Sequence, residues 1–143
     1  MPWPPAVRLL LLIACLIVVV EGLAFIVFAV ADLVSIGSDT LGVGLSAAVF
    51  FLFYGGAQLV AAAMLLRGRT GARGLLVASQ LLHLGLAWSL RDAAAGQLVV
   101  PGLPLIVAGL AAVVLACLLA PSVNRAVIEV ETSELGLDVA HDD

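Results

Sequence analysis

Glu21 and His83 are ionisable side chains set in the middle of long apolar stretches of this sequence. Such groups are rare inside hydrocarbon, where they mark partners or polar pathways. Tyr54, Gln58 and Gln80 occupy comparable positions in neighbouring apolar stretches. A low-dielectric surround disfavours charge on a carboxylate. An acid placed there is therefore suited to take up and release a proton, and an imidazole beside it is suited to share that proton. The structural alternative needs no transport: the same groups hydrogen-bond to one another between helices, at about 0.6–2 kcal/mol per bond. The structural reading is weighed ahead, because Glu21 stands without a second acid and without an aromatic cage of recognisable spacing. The two readings require different geometry. Proton or cation transport needs Glu21 beside an interhelical cavity, whereas a packing role needs it in closed hydrogen bonds.

Spacing restricts how these residues meet. Tyr54 and Gln58 share a helix face at i, i+4, and Gln80 and His83 share one at i, i+3. At 1.5 Å per residue, Glu21 lies about 21 Å, Tyr54 about 18 Å and His83 about 16 Å from the cytoplasmic ends of their helices. Gln58 and Gln80 both fall near 12 Å. This predicts an upper layer of Glu21, Tyr54 and His83 above a lower layer of Gln58 and Gln80, with His83 the first partner of Glu21 and Tyr54 the second.

Other chemistry finds little footing. There is no nucleophile elbow, HExxH, CxxC or phosphate-binding loop. His83 has no second His, Cys or acid at i±3 or i±4, and His141 lies in the polar tail, so neither a metal nor an axially ligated haem is expected. Cys15 and Cys117 each stand alone in an apolar run and read as small hydrophobes rather than as a disulfide pair. No enzymatic activity and no cofactor are expected. The basic residues form no extended patch, which argues against nucleic acid as a partner.

The elements that would position these groups follow from composition. Of 143 residues, 64% are hydrophobic and 11% charged, and the mean hydropathy is +1.25. Soluble domains are roughly 45–50% apolar and roughly 25% charged. The excess apolar surface must face lipid, so the lipid bilayer is the first partner. Four apolar runs are expected to span it, at 7–31, 42–66, 72–90 and 103–120, which makes the chain an all-α integral membrane four-helix bundle over residues 1–121. The first run is about 37 Å of helix against a hydrocarbon core of about 30 Å. Its Ala29-Val30-Ala31 before Asp32 has the form of a signal-peptide cleavage site, but the run is too long for a signal and holds a glutamate.

Met1 to Ala6 is proline-rich and not helical throughout, and Trp3 suits the headgroup zone. The second run has Gly55-Gly56 and Ala61-Ala62-Ala63 as a close-approach face, and reads as the middle of the bundle. Arg67–Gly74 (RGRTGARG) is a tight basic turn that makes the second and third helices antiparallel neighbours. Trp88 fits the outer interfacial belt, with Arg91 and Asp92 beside it. In the fourth run Ala108, Ala112 and Ala116 form a small-residue stripe for packing against a neighbour. Residues 122–143 hold six of the ten acids within the last fifteen positions and read as an acidic, disordered cytoplasmic tail.

Arginine placement sets the orientation. With the N-terminus inside, Arg8, Arg67, Arg69, Arg73 and Arg125 are all cytoplasmic, and only Arg91 is outside. The positive-inside rule then puts both termini in the cytoplasm, in the plasma membrane.

The stretch Arg67–Leu90, RGRTGARGLLVASQLLHLGLAWSL, resembles uncharacterised small four-span integral membrane proteins of actinobacteria, in which an arginine-rich turn leads into a helix with a glutamine and an Ala-Trp-Ser ending. Glu21-Gly22-Leu23 and Leu119-Ala120-Pro121-Ser122 are similar too, so the likeness covers about residues 5 to 125. It implies a fold and a membrane location and carries no catalytic motif. The architecture is also similar to that of small multidrug resistance transporters, which have four helices and a glutamate in the first. Glu21-Gly22-Leu23 departs from their pattern, and an alanine stripe stands where their dimer seam has glycines. Taken together, an accessory or structural membrane component is expected, as a homo-oligomer or within a larger complex. A proton-coupled transporter of small cations using Glu21 is the alternative.

Overall fold

The computed structural model describes residues 3–35, 41–94 and 102–134. All regular structure among them is helical: α1 (Pro5–Ser35), α2 (Leu41–Leu66), α3 (Ala72–Ala94), α4 (Leu103–Leu119) and α5 (Pro121–Glu134). The expected apolar runs thus appear as α1 to α4 with closely similar bounds. α1 and α2 are long and apolar enough to cross a membrane, and α4 with α5 passes the same test as one span bent by 50°. α3 falls outside it, because its sequence mixes arginines, Gln80 and His83 with its leucines.

Helix ends follow local chemistry. α1 begins with Pro5, a first-turn position where the missing N–H costs nothing. α2 stops in a Schellman motif. Gly68 takes φ 88°, its N–H bonds the Leu65 carbonyl at 3.0 Å, and the Arg69 N–H bonds the Met64 carbonyl at 3.0 Å. Only a glycine adopts that left-handed conformation cheaply. The basic turn is therefore a built helix stop as well as a charge signal. α4 starts after Gly102, also at φ 88°.

The helices form a ring in which α1 packs on α2, α2 on α3, α3 on α4 and α4 on α1. α1 and α4 additionally meet α5, so each has three partners where α2 has two. The α1–α2 seam is the most extensive and closes over two glycines. A Cβ on Gly55 would sit 2.5 Å from the Gly22 carbonyl oxygen, and one on Gly22 would sit 3.0 Å from that of Gly55. Gly56 faces open space, so the expected glycine pair contributes only its first member to the crossing.

The apolar core lies toward the α2–α3 turn and joins Val7, Leu11 and Val18 of α1 to Leu65, Leu76 and Leu118, and to Val123, Ala126 and Val127 of α5. One expectation changes here. The segment from 122 is not disordered as far as Glu134: Val123, Ala126, Val127 and the part-buried Val130 recur at helical spacing and pack on the core. The acidic end beyond 134 lies outside the described residues. Trp3 is 6% exposed and joins the same core. In the alanine stripe of α4, Ala112 and Ala116 are exposed and not covered by the other described helices. The packed face of α4 is Ala111, Val114, Cys117 and Leu118. The exposed hydrophobics, Leu9, Leu16, Val27, Phe53, Leu82 and Leu105 among them, are what a lipid-facing surface requires.

Candidate functional site

The polar residues of the spans meet in one cluster. Helix geometry explains why. The buried positions of α3 are Ala72, Leu76, Ser79, Gln80, His83 and Ala87, a single face at spacings of three and four. Gln80 and His83 therefore point into the ring. On α1, Val18, Gly22 and Ala29 are buried, and Glu21 stands beside Gly22 at the edge of that face. On α2, Gln58 is one turn from Tyr54 and lies on the buried side.

Gln80 Nε2 donates to Glu21 Oε2 at 2.8 Å. His83 Nδ1 lies 3.4 Å from the same oxygen, within ion-pair reach but short of hydrogen-bond geometry. On the other side of the imidazole, Nε2 is 3.3 Å from the Tyr54 hydroxyl and 3.5 Å from Gln58 Nε2. An amide nitrogen only donates. A bond from Gln58 uses the lone pair of Nε2 and leaves the ring proton on Nδ1, facing Glu21. The Tyr54 hydroxyl also reaches the Ser79 carbonyl at 3.4 Å. The side chains of His83 and Glu21 are 3% and 10% exposed, so the cluster is close to sealed.

All the expected residues, Glu21, Tyr54, Gln58, Gln80 and His83, belong to this cluster, but not in the expected layers. Gln80 reaches up to Glu21 and Gln58 reaches His83. Gln80, not His83, makes the short bond to the acid. Depth along the helices is right in outline, and long side chains bridge the one-turn difference between the layers.

Aromatic residues wall the site on one side. Phe25 stacks on the His83 ring, with centroids 5.5 Å apart and planes 21° apart, and meets Tyr54 edge-on at 5.1 Å. Phe51 stacks on Phe25 at 5.6 Å. Phe25 was not among the expected site residues, although its place four after Glu21 puts it on the same face. Such ring pairs add roughly 0.5–1.5 kcal/mol each beyond area burial.

Two surface grooves lie elsewhere. A groove of about 630 Å³ runs between α2 and the start of α3, and a second of about 470 Å³ lies beside Arg73 and Asn124. Neither is lined by Glu21, His83, Tyr54, Gln58 or Gln80. Among the described residues no group of His, Cys, Asp or Glu is arranged to hold a metal. Cys15 and Cys117 are free and buried, and the Cys15 thiol points at the Ala62 carbonyl 3.7 Å away.

A second polar contact lies at the α4–α5 knee. Arg73 Nε donates to the Leu118 carbonyl and its Nη1 to Asn124 Oδ1, both at 3.0 Å. At the far end of α3, Arg91 lies over the Trp88 ring, 3.5 Å from its centroid.

No family model matches the sequence, and neither a curated protein nor a solved structure matches it. The functional reading therefore rests on the chain's own geometry.

Proposed function

We propose that this chain is a four-span plasma-membrane protein without enzymatic activity, an accessory or structural component, in which the Glu21 cluster locks the helices together. The observation that carries the reading is the enclosure of Glu21: its side chain is 10% exposed, its Oε2 accepts from Gln80 and faces His83, and it lines neither of the two grooves. A coupling site must open to one side of the membrane, whereas a lock must be shut.

The four-span count rests on where polarity points. Ser79, Gln80 and His83 lower the average hydropathy of α3, but all are buried, and its outward side chains include Leu75, Leu81, Leu82 and Leu86. Lipid therefore meets an apolar surface. At 23 residues α3 is about 34 Å long, enough for a hydrocarbon core of about 30 Å. α4 with the knee at Pro121 supplies the fourth span. The arginine asymmetry puts both termini in the cytoplasm. Removal of α1 as a signal would strip Glu21 and Phe25 from the cluster, which supports its retention as a span. Kinship with the actinobacterial membrane proteins that Arg67–Leu90 resembles is part of this proposal.

The test is proton flux in proteoliposomes holding the full chain or Glu21→Gln, under an imposed potential. The expected result is flux at the level of protein-free vesicles for both. Flux in the wild type that Glu21→Gln abolishes overturns the lock and establishes coupling. Orientation is read separately with Gly71→Cys, an exposed position where nothing lies within 4 Å of an added Cβ. An impermeant thiol reagent should label it only after cells are opened.

A further inference from the structure

The apolar groove between α2 and α3 ends at a pair of uncommitted arginines. Its walls are Leu52, Phe53, Gly56, Ala57, Val60, Ala61 and Met64 of α2, with Gly71, Ala72 and Leu75 opposite. Successive turns of α2 from Phe53 to Met64 make it about 17 Å long at 1.5 Å per residue. Its depth comes from Gly56, Ala57, Ala61, Gly71 and Ala72, whose small side chains leave room that larger ones would fill.

Where the groove ends, the Arg67–Gly71 turn begins. The Schellman stop fastens that turn to the groove, since the Arg69 N–H is bonded to the carbonyl of Met64, itself a groove residue. Arg67 and Arg69 are exposed, and neither guanidinium has a hydrogen-bond or ion-pair partner among the described residues. Arg73, four residues after Arg69, is by contrast engaged with Leu118 and Asn124.

We propose that this groove is a binding site for one anionic phospholipid, with an acyl chain along α2 and the phosphate held by Arg67 and Arg69. The inference rests on the membrane orientation proposed above, which places the turn in the cytoplasmic leaflet, where anionic lipids concentrate. An acyl chain matches a wall with no charged group, and a guanidinium pair matches a phosphate in charge and in fork geometry. A zwitterionic lipid satisfies the first demand and only half of the second.

Native mass spectrometry of the detergent-purified full chain, mixed with phosphatidylglycerol or phosphatidylcholine of the same acyl composition, tests the site. The wild type should retain one phosphatidylglycerol with a preference on the order of tenfold, from two near-surface arginines. Arg67→Gln with Arg69→Gln should erase the preference while leaving the weaker phosphatidylcholine binding in place. Gly56→Leu should reduce retention of both lipids. It extends into the groove from a position where nothing lies within 4 Å of an added Cβ, and an unchanged helical circular-dichroism spectrum checks that the variant is folded. Equal retention of the two lipids by the wild type overturns the proposal. So does a Gly56→Leu variant that keeps wild-type retention, since the arginines would then be acting as a surface charge without a groove. Alkaline carbonate extraction of cell membranes separates the two levels of failure. Release of the chain sinks the membrane reading, whereas an inserted chain without lipid preference sinks only this site.

Discussion

Gln80 and Glu21 are joined by a 2.8 Å hydrogen bond that spans the ring, from α3 to α1, two helices that are not neighbours in it. Adjacent helices approach through small residues, as Gly22 and Gly55 do. Opposite helices are too far apart for that and need long polar side chains. The bond therefore fixes the rotation of both helices at once, which apolar packing alone leaves loosely specified. Glu21 is backed by Gly22, the residue at which α1 crosses α2, so rotation about the seam and the polar bond are set within one turn of each other.

A double-mutant cycle measures this link. Glu21→Ala and Gln80→Ala each leave a buried partner unsatisfied, at about 1–3 kcal/mol. The coupling energy between them is expected at about 0.6–2 kcal/mol. Glu21→Ala should be the more costly of the two, because the same oxygen also faces His83. Unfolding in mixed micelles by denaturing-detergent titration reads all the terms, and strictly additive losses would show that the bond does not hold the helices.

The α1–α2 crossing gives a sharper contrast. Gly55→Ala puts a methyl 2.5 Å from the Gly22 carbonyl oxygen, a backbone atom that moves only with the whole helix. Destabilisation of about 1–3 kcal/mol is expected. Gly56→Ala, one residue on, meets nothing within 4 Å and should be neutral or stabilising by about 0.5–1 kcal/mol, since alanine restricts the unfolded chain. The same titration reads both. Equal effects would mean that the crossing is looser than its geometry.

The helices and the polar cluster were largely legible in the sequence, because long apolar runs have clear ends and a helix has a fixed rise. Rise gives depth but not rotation. Gln58 and Gln80 lie at one depth, yet one turns to His83 and the other to Glu21. Phe25 was missed although its i+4 spacing from Glu21 was in view. The acidity of the end after residue 128 hid the segment after Pro121, where Val123, Ala126, Val127 and Val130 mark a helical face. The alanine stripe of α4 shows the limit from the other side. Small residues at i, i+4, i+8 permit close packing but do not say which partner accepts it, and among the described residues none covers Ala112 and Ala116.

Arg73 was legible only as a charge, and its structural task yields the last prediction. Ala120 leaves the helical conformation, at φ −52° and ψ 136°, so the last carbonyls of α4 are not met by the chain that follows. Arg73 supplies a donor from α3 to the Leu118 carbonyl and a second to Asn124 of α5, bracing the 50° bend from outside. Arg73→Ala should lower stability by about 1.5–3 kcal/mol, the range for a bond from a charged donor. Arg73→Lys should recover only part, because an ammonium lacks the planar fork that serves two acceptors. Asn124→Ala removes the exposed bond alone and should cost less than either. Buried Cys117, one residue before Leu118, reports the knee directly. Its labelling by a thiol reagent should speed up in Arg73→Ala and change least in Asn124→Ala. A rate in Arg73→Ala equal to wild type would show that packing of Val123 and Val127 on the core holds the bend without the arginine.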